Sequence, residues 1–383
     1  MTEFFIYEEL TWPEVYALPR STPMILPLGK GYPLDRLASA LGNPSKAGLL
    51  PPFPFGWQGS GLWVPENLLK PYLTNLINSL RDDGFANSYI LLPQGLNLGL
   101  DIPWIALPLT EKLLNPLTVP PESELGKVVL IPIGHTEQHG YHLPLSTDTL
   151  IINAIGQGTA AAAPDQTVAL PTMPYGVSTH RPSFAGTLNA GGRAFEDFWV
   201  GVIDLLSVRG FNRFYLISGH GGNSSFITNS IKYAGERHRR IFCATAWLYL
   251  SGPAGIAALE KYRQSAIGGM GHACELETSF ILHLRPDLVH MDRVVDETKF
   301  ISTPSYYMDW VEGGALIANP PWDDDTQTGA YGSGSLATAE KGKIWLAAAI
   351  SEKVSHITEI HQQYHLREER RLSGFGLWGQ KNR

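Results

Sequence analysis

The sequence predicts an α/β protein in which a smaller N-terminal α/β module precedes a three-layer αβα sandwich with a mostly parallel sheet. Two observations support this fold class. From residue 127 onward, short apolar strands alternate with longer helical segments, the order that builds right-handed βαβ units. The strands also end in turns rich in glycine and proline, which are typical of connections between strands and helices.

Residues 121–383 are expected to form the larger domain. The run Val128–Ile131 is continuous, apolar and β-branched, which indicates a buried strand. Pro164 and Gly210 mark the ends of the first two helices. The predicted elements are strand 127–131, helix 149–163, strand 167–171, helix 193–209, strand 214–218, helix 224–238, strand 241–247, a helix that reaches Leu284 and a final helix from Leu336 to about His361.

Residues 1–120 are expected to form the smaller module. Leucines recur at helical spacing over 66–83 and predict an amphipathic helix, which Gly84 ends. Segment 31–65 is rich in proline, glycine and aromatic residues and shows little periodicity. The other predicted elements are a short helix Trp12–Ala17, a strand Pro23–Leu28, a strand Ser88–Leu92 and a short amphipathic piece around Leu109–Leu114 in a Pro-rich connection.

Three blocks of the first part have similar counterparts, in the same order, in the second part, which suggests an internal repeat. The simpler alternative is that any two strand–loop units share proline, glycine and leucine. If the repeat exists, the first copy has lost the chemical groups of the second, since Gln94 stands where His220 stands. The paired blocks are MILPLG (24–29) with VLIPIG (129–134), LPPFPFG (50–56) with LPTMPYG (170–176), and GFANSYILLPQGLN (84–97) with GFNRFYLISGHGGN (210–223).

This comparison predicts that residues 1–120 are a module without metal ligands that packs on the larger domain. It would either take the place of a neighbouring subunit or cover the functional site with its aromatic loop. That loop contains Phe53, Phe55, Trp57 and Trp63.

Composition excludes several classes of protein. An apolar fraction of 44% with 17% charged residues supports a large core and argues against disorder. The net charge of −7 offers no basic face for nucleic acid, and no apolar run reaches the ~18 residues of a membrane span. The first ten residues lack the order of a signal peptide. Two cysteines far apart, Cys243 and Cys274, fit free thiols in a reducing cytosol, so a cytoplasmic protein is expected.

The segment Ile131–Thr149 carries four groups that bind metals or transfer protons: Glu137, His139, His142 and Asp148. They follow a predicted strand, and ligands of open α/β sheets bind outside the carboxyl ends of strands. Glu137 and His139 are two residues apart and would project to one side of an extended segment. Of the four, we expect His142 to have a structural role.

Two further segments add candidate groups. His220 ends another strand, in GHGGN, where the glycines allow close backbone approach. The segment GGMGHACELETS contributes His272, Glu275 and Glu277. Mixed imidazole and carboxylate donors suit Zn²⁺, Mn²⁺ or Fe²⁺. Two such ions bridged by a carboxylate would generate a hydroxide near neutral pH and polarise a carbonyl.

Four of these motifs together resemble the creatininase (creatinine amidohydrolase) family over about residues 127–360. They are EQHGYHLPLSTDT, SGHGGN, GHACELETS and GSGSLATAEKG. The resemblance implies a creatininase-like αβα sandwich and a hydrolase that contains two divalent metal ions per chain. It also implies a homo-oligomer that acts on a small-molecule substrate.

The resemblance further implies roles for single residues. Glu137 and His220 would bind one metal, His139 the other, and Asp148 would bridge both. Glu275 is the expected fifth ligand, because Gly222 stands where creatininase has a glutamate; Glu277 would then orient a ligand, although either glutamate could be the fifth. His272 matches the proton-transfer histidine and Trp247 a substrate-packing tryptophan. From the sequence itself, Ser178 and His180 are candidate substrate contacts on a long loop.

The predicted function is metal-dependent hydrolysis of a C–N bond in an amide, cyclic amide or formamide by a metal-bound hydroxide. A second tryptophan that packs on creatinine would fall on Gly268, so creatinine itself is not expected. The alternatives are a metal-binding scaffold or regulatory protein without turnover, or an enzyme that acts on a cyclic polyol ketone or a modified peptide.

Overall fold

A computed structural model describes residues 1–110, 119–179, 183–309 and 313–374 of the chain. Helices and strands alternate through most of it. In chain order they are β1 (Glu3–Ile6), α1 (Trp12–Ala17), β2 (Met24–Pro27), α2 (Leu34–Ala40), β3 (Lys46–Leu49), α3 (Glu66–Asp82), β4 (Ser88–Pro93), β5 (Trp104–Leu107), β6 (Val128–Ile133), α4 (Thr147–Ala162), β7 (Thr167–Ala169), α5 (Gly192–Val208), β8 (Arg213–Ser218), α6 (Ser224–Arg237), β9 (Phe242–Thr245), α7 (Pro253–Tyr262), β10 (Met270–His272), α8 (Glu275–Leu284), β11 (Tyr331–Gly332) and α9 (Ala339–Leu372).

The strands form two larger sheets, and every strand pair within them is parallel. The first sheet has the order β1-β3-β2-β4-β5 and the second the order β7-β6-β8-β9. A small antiparallel pair, β10 with β11, lies outside both. The predicted α/β class with mostly parallel sheets is therefore confirmed.

The second sheet is covered by helices on both faces. Val129 and Ile131 point to one face and belong to the same apolar cluster as Phe198 of α5. Val128 and Leu130 point to the other face and pack in a second cluster with residues of α4, α8 and α9. Side chains alternate between the faces of a strand, so a continuous apolar run such as β6 indicates burial on both sides.

The two sheets pair their strands at equivalent positions, as the sequence blocks define them. Ile25 of β2 lies opposite Tyr89 of β4, and Leu130 of β6 lies opposite Tyr215 of β8. Each of these pairs combines residues that the block alignment makes equivalent. Helices α3 and α5 each contain 17 residues, and their first residues are 126 positions apart in the sequence. This geometry agrees with a repeat, while the division into two domains at residue 120 stays a prediction.

The two parts pack on each other through equivalent residues. Tyr72 of α3 and Phe198 of α5, which occupy the same position in these two 17-residue helices, contact each other edge to face with ring centroids 5.1 Å apart. The Tyr72 hydroxyl donates a hydrogen bond to the Tyr175 carbonyl at 2.8 Å, and the Tyr175 ring stacks on Phe53. An interface in which equivalent residues meet has the character of a two-fold contact between subunits, formed here within one chain.

The first residues of the chain contact the second part directly. Ser146 N–H donates to the Glu8 carbonyl at 3.0 Å, and Leu145 N–H to the Leu10 carbonyl at 2.9 Å. The Trp12 indole donates to the Thr328 carbonyl at 2.8 Å. Residues 8–12 thus brace the loop that precedes α4.

Several elements lie where the sequence offered weak signals. Helix α2 and strand β3 lie within the segment of low periodicity, and α7 begins at Pro253. Helix α9 extends to Leu372, beyond the predicted end near His361, and includes Arg367, Arg370 and Arg371. The amphipathic piece predicted around Leu109–Leu114 lies largely outside the described residues. No helix among the described residues has both the length and the apolar character that a bilayer crossing requires.

Candidate metal centre

The candidate site lies at the carboxyl ends of β6 and β8, where the predicted loop follows Ile133. Glu137 N–H donates to the Leu145 carbonyl at 3.1 Å, which closes the loop on itself. The loop then enters α4, so that Asp148 lies in the first turn of this helix. Carboxylates are favoured at that position because the unpaired N–H groups of a helix start carry partial positive charge.

Glycines bring the strand ends close together. A Cβ atom on Gly219 would lie 2.3 Å from the Asp148 carbonyl oxygen, and one on Gly222 would lie 2.4 Å from His220 Nε2. Both distances are shorter than any Cβ contact tolerates. The glycines of GHGGN therefore allow His220 to approach the loop that carries Asp148.

The structure brings Glu137, His139, Asp148 and His220 together in one buried cluster. The carboxylate of Asp148 faces both imidazoles: Oδ1 lies 3.1 Å from His139 Nε2 and Oδ2 lies 3.3 Å from His220 Nδ1. Glu137 Oε1 lies 3.0 Å from His220 Nδ1. All four side chains are at most 2% exposed.

Backbone carbonyls fix the tautomers of the two histidines. His139 Nδ1 lies 3.1 Å from the Glu137 carbonyl, and His220 Nε2 lies 3.0 Å from the Val177 carbonyl. A carbonyl only accepts, so each of these nitrogens donates. The other nitrogen of each neutral ring then presents its lone pair to the cluster, as a metal-binding histidine requires.

The structure separates the two glutamates that are candidates for the fifth ligand. The Glu275 carboxylate accepts hydrogen bonds from Ser265 N–H at 2.8 Å and from the Lys341 ammonium at 2.6 Å, away from the cluster. Glu277 instead lies in the cluster, with Oε2 3.9 Å from His139 Nε2. Residues two apart on a helix point to opposite sides, so only one of these glutamates can face the cluster.

His272 lies at the edge of the cluster, as predicted. Its Nε2 lies 2.7 Å from the Gln138 carbonyl and therefore carries a proton. Its Nδ1 faces the carboxylates, 3.7 Å from Glu137 Oε1. The His139 ring packs on one side of the imidazole, and Trp322 packs edge to face at 5.1 Å. These contacts fix the orientation of the ring.

His135 belongs to the cluster but was not predicted. Its ring lies against His220 with centroids 4.3 Å apart, and its Nε2 lies 3.7 Å from Glu137 Oε2. The Gly176 N–H donates to His135 Nδ1 at 3.0 Å, so the neutral ring carries its proton on Nε2, toward Glu137. The signal was present in the sequence, since His135 precedes Glu137 by two residues in an extended segment.

In three sets of side chains, one possible donor atom from every member lies within 4.8 Å of the others, which is the spacing that a shared metal ion requires. All members are buried. The sets are His135, Glu137 and His220; Glu137, His139 and His272; and His139, Asp148 and Glu277.

The field of the buried carboxylates favours positive charge in the cluster. Burial lowers the pKa of His139, but the carboxylates of Asp148 and Glu277 outweigh burial and raise this pKa to about 10. Burial acts on His220 in the same way, and Glu137 and Asp148 raise its pKa to about 9. Divalent cations would satisfy the same field, and nitrogen and carboxylate oxygen donors suit Zn²⁺ or Mn²⁺. The residues present therefore fit a metal centre.

His142 lies beside the cluster without facing it. Its Nε2 lies 2.9 Å from the Thr278 hydroxyl. Burial and the neighbouring His139 lower the pKa of His142 to about 4, so the ring is neutral at physiological pH. Its contacts agree with the structural role expected from the sequence.

A cavity of about 660 Å³ opens above the cluster. Its floor is formed by Glu137, Asp148, His220, His272 and Glu277, and Trp247 lines its wall.

The two loop residues predicted as substrate contacts have different outcomes. Ser178 lines a separate cavity of about 350 Å³ with residues such as Asn75 and Asp83, and its role as a substrate contact stays a prediction. Its neighbour Thr179 lines both cavities. His180 lies outside the described residues.

A family model described as creatinine amidohydrolase (creatininase) matches residues 118–357, which is more than half of the chain. The chain belongs to the creatininase family. It is 29% identical over 252 residues to the creatinine amidohydrolase of Pseudomonas putida, a match that covers 61% of this chain and 89% of the relative. It is also 30% identical over 241 residues to a mycofactocin precursor peptide peptidase of Mycobacterium ulcerans (strain Agy99). This match covers 60% of this chain and 84% of the relative.

The fold gives the same assignment. A solved structure of creatininase with manganese superposes with a TM-score of 0.52 and 25% sequence identity, over 62% of this chain and 92% of that one. The members of this creatininase family are hydrolases, and the matched region contains all the cluster residues. The match to the family model begins at residue 118, so all five strands of the first sheet lie outside it.

Proposed function

We propose that this creatininase-family protein is a metal-dependent hydrolase of a C–N bond in an amide, cyclic amide or formamide. The observation that carries the proposal is the Asp148 carboxylate, whose two oxygens face two different imidazoles at 3.1 and 3.3 Å. A carboxylate in this position can bridge two cations. Hydrolysis of such substrates needs a polarised carbonyl and an activated water, and a pair of divalent cations can provide both.

We assign the residues to two adjoining sites that share Asp148. Glu137 and His220 would complete one site, and His139 and Glu277 the other. Two divalent cations held there would lower the pKa of bound water and stabilise negative charge on a carbonyl oxygen, each effect being worth several kcal/mol. Zn²⁺, Mn²⁺ and Fe²⁺ all fit this donor set.

His135 supports the first of these sites. It presents an N–H group toward Glu137 and cannot bind metal through Nε2 in this tautomer, because the Gly176 amide occupies Nδ1. Its role is to orient the Glu137 carboxylate, in the way that hydrogen-bonded neighbours orient the ligands of other metal sites.

His272 is the proposed proton carrier. Its Nε2 proton is held by the Gln138 carbonyl, so Nδ1 is the atom that takes up and releases a proton over the cavity floor. A proton delivered from Nδ1 to the departing nitrogen would allow the amine to leave as a neutral group. General acids of this kind typically increase the reaction rate about 10²–10⁴-fold. Packing by Trp322 keeps Nδ1 directed to the cluster.

The test combines metal binding with turnover. The full chain, stripped with a chelator and restored with Zn²⁺ or Mn²⁺, should hydrolyse at least one member of a panel of cyclic amides, formamides and peptides. His220→Ala together with Glu137→Ala should remove metal binding at the site that these two residues complete and should abolish activity. Activity that survives this double substitution would remove the proposal.

The alternative is a metal-binding scaffold or regulatory protein without turnover. Its support is the first sheet, which carries no counterpart of His220 because Gln94 stands at that position. About two metal ions per chain, with no turnover of any panel member by a well-folded protein, would favour the scaffold. We further infer, from composition and family, a cytoplasmic protein that acts on a small molecule and forms homo-oligomers.

A further inference from the structure

The cavity above the metal centre extends outward between two apolar walls. Phe226 of α6 belongs to one wall, together with Trp247 and Leu248, which follow β9. Residues between β10 and β11 form the other wall. Among the described residues these are Tyr306, Tyr307, Met308, Leu316, Ile317, Ala318 and Trp322.

The outer part of these walls exposes apolar surface to solvent. Trp247 is 47% exposed, Leu316 60% and Ile317 96%. Single exposed apolar side chains are common on proteins. Several that line one cavity next to a reactive site mark a binding surface, because their contact with water is unfavourable until a ligand covers them.

Hydrogen bonds hold the described parts of this wall, residues 303–309 and 313–319, in place. Leu316 N–H donates to the Ser305 carbonyl at 2.7 Å, and Thr303 and Tyr306 exchange two backbone hydrogen bonds. The Thr179 hydroxyl and Asn319 Oδ1 lie 3.1 Å apart, which joins this wall to the loop beside the cluster. The apolar surface is therefore formed before a ligand binds, which lowers the entropic cost of binding.

The Asp309 carboxylate, although it lines the cavity, is held by groups of the protein. The Arg263 guanidinium donates to it at 2.9 Å, and Gly268 N–H donates to it at 2.8 Å. It is 6% exposed. This ion pair anchors the wall from behind, while the surface presented to the cavity is made mainly by aromatic and aliphatic side chains.

The volume also bears on the substrate. About 660 Å³ lies in the middle of the range of cavities that enclose drug-sized ligands. A small cyclic amide would occupy only the floor around His272 and leave the apolar walls in contact with water.

We propose that the substrate carries a bulky apolar group, aromatic or branched aliphatic, next to its scissile C–N bond. The group lies between the wall that contains Trp247 and the wall that contains Ile317. The substrate class is thus a hydrophobic amide, such as a peptide with an apolar side chain beside the cleaved bond. This inference rests on the proposed function, since it assumes that the reacting carbonyl lies at the cluster.

Two hydroxamic acids test the proposal by direct binding. The hydroxamate group chelates divalent metals, so acetohydroxamic acid reports the metal centre and 3-phenylpropionohydroxamic acid reports the metal centre plus the walls. Titration calorimetry on the full, metal-loaded chain should give at least ~10-fold tighter binding of the phenyl compound, from the apolar area it buries. Ile317→Ser should remove most of this preference and leave the affinity for acetohydroxamic acid unchanged. Trp247→Ala should also remove most of this preference.

Val208→Ser is the matched control, because Val208 is 81% exposed and belongs to α5, away from the cavity lining. It should leave both affinities unchanged. Equal affinity of the two compounds would overturn the inference while leaving the metal centre in place, as would a preference that survives both wall substitutions. No binding of either compound to a folded protein would overturn the metal centre and the inference with it.

Discussion

Asp148 shows how one side chain can define a site. Its two oxygens face two imidazoles, and each imidazole has its tautomer set by a backbone carbonyl. The sequence was sufficient to select Glu137, His139, Asp148 and His220, because carboxylates and imidazoles followed two predicted strands. It was insufficient to choose between Glu275 and Glu277. That choice depends on where α8 begins, and the orientation of a helix about its axis is set by packing rather than by local sequence.

At the residue scale, we predict that Glu277→Gln changes metal affinity and that Glu275→Gln changes stability. Glu277→Gln removes a proposed ligand and should lower metal affinity at least ~10-fold with little loss of stability. Glu275→Gln should leave metal affinity unchanged but reduce the free energy of unfolding by ~3 kcal/mol, because Lys341 loses its buried partner. Competition with a chromophoric chelator measures the first quantity and urea unfolding the second.

The two variants serve as controls for each other, since each removes one carboxylate of the same helix. Loss of metal binding in Glu275→Gln, with retention in Glu277→Gln, would contradict the assignment made from the structure.

At the scale of elements, agreement between sequence and structure follows the strength of the pattern. Helix α3 and strand β6 were predicted to within two residues, because leucine periodicity and a β-branched run are strong signals. Helix α2 and strand β3 were missed, since their seven and four residues lie among prolines and glycines and gain their stability from packing. Strand β1, which carries the chain toward Glu8, was also missed.

The segment after β1 leads to a pH prediction. Burial, followed by the neighbouring Glu9, raises the pKa of Glu8 from its usual value near 4.5 to about 8. The pKa of this carboxyl group is higher in the folded than in the unfolded protein, so the protonated group favours folding most strongly below the unfolded pKa. This contribution to the free energy of unfolding is lost as pH rises through about 8, the pKa in the folded protein. Glu8→Gln should therefore leave stability unchanged at pH 5 and increase it at pH 9, by ~2 kcal/mol.

Urea unfolding of both proteins at pH 5, 7 and 9 would measure this difference. Asp35→Asn, which removes an exposed carboxylate of α2, is the control for the loss of one negative charge. A Glu8→Gln protein whose stability follows the wild-type pH profile would show that the Glu8 carboxyl titrates normally.

For the whole molecule, the principal finding is that two similar sheets share one apolar cluster. Its members include Met24 and Leu26 of the first sheet and Val129 and Ile131 of the second. The sequence blocks indicated the relation between the parts, but their mode of packing could not be predicted. Contacts such as Tyr72 with Phe198 join residues 126 positions apart, and a local pattern does not encode them.

The shared cluster predicts that the two sheets unfold together. Tyr72→Ala should reduce the free energy of unfolding by ~3–5 kcal/mol, because Tyr72 is fully buried between the parts. Tyr72→Phe should cost only ~1 kcal/mol, since the ring remains and one hydrogen bond to Tyr175 is lost. Circular dichroism and tryptophan fluorescence should report one coincident transition in both variants. Two separated transitions would mean that the parts are stable independently.

The contact between Tyr72 and Phe198 has a consequence for assembly. Two surfaces joined by a continuous polypeptide meet at an effective concentration set by the chain, so dilution cannot separate them. Their stoichiometry is fixed at one to one from the moment of synthesis. Any dependence of activity on protein concentration must therefore originate at some other face of the molecule.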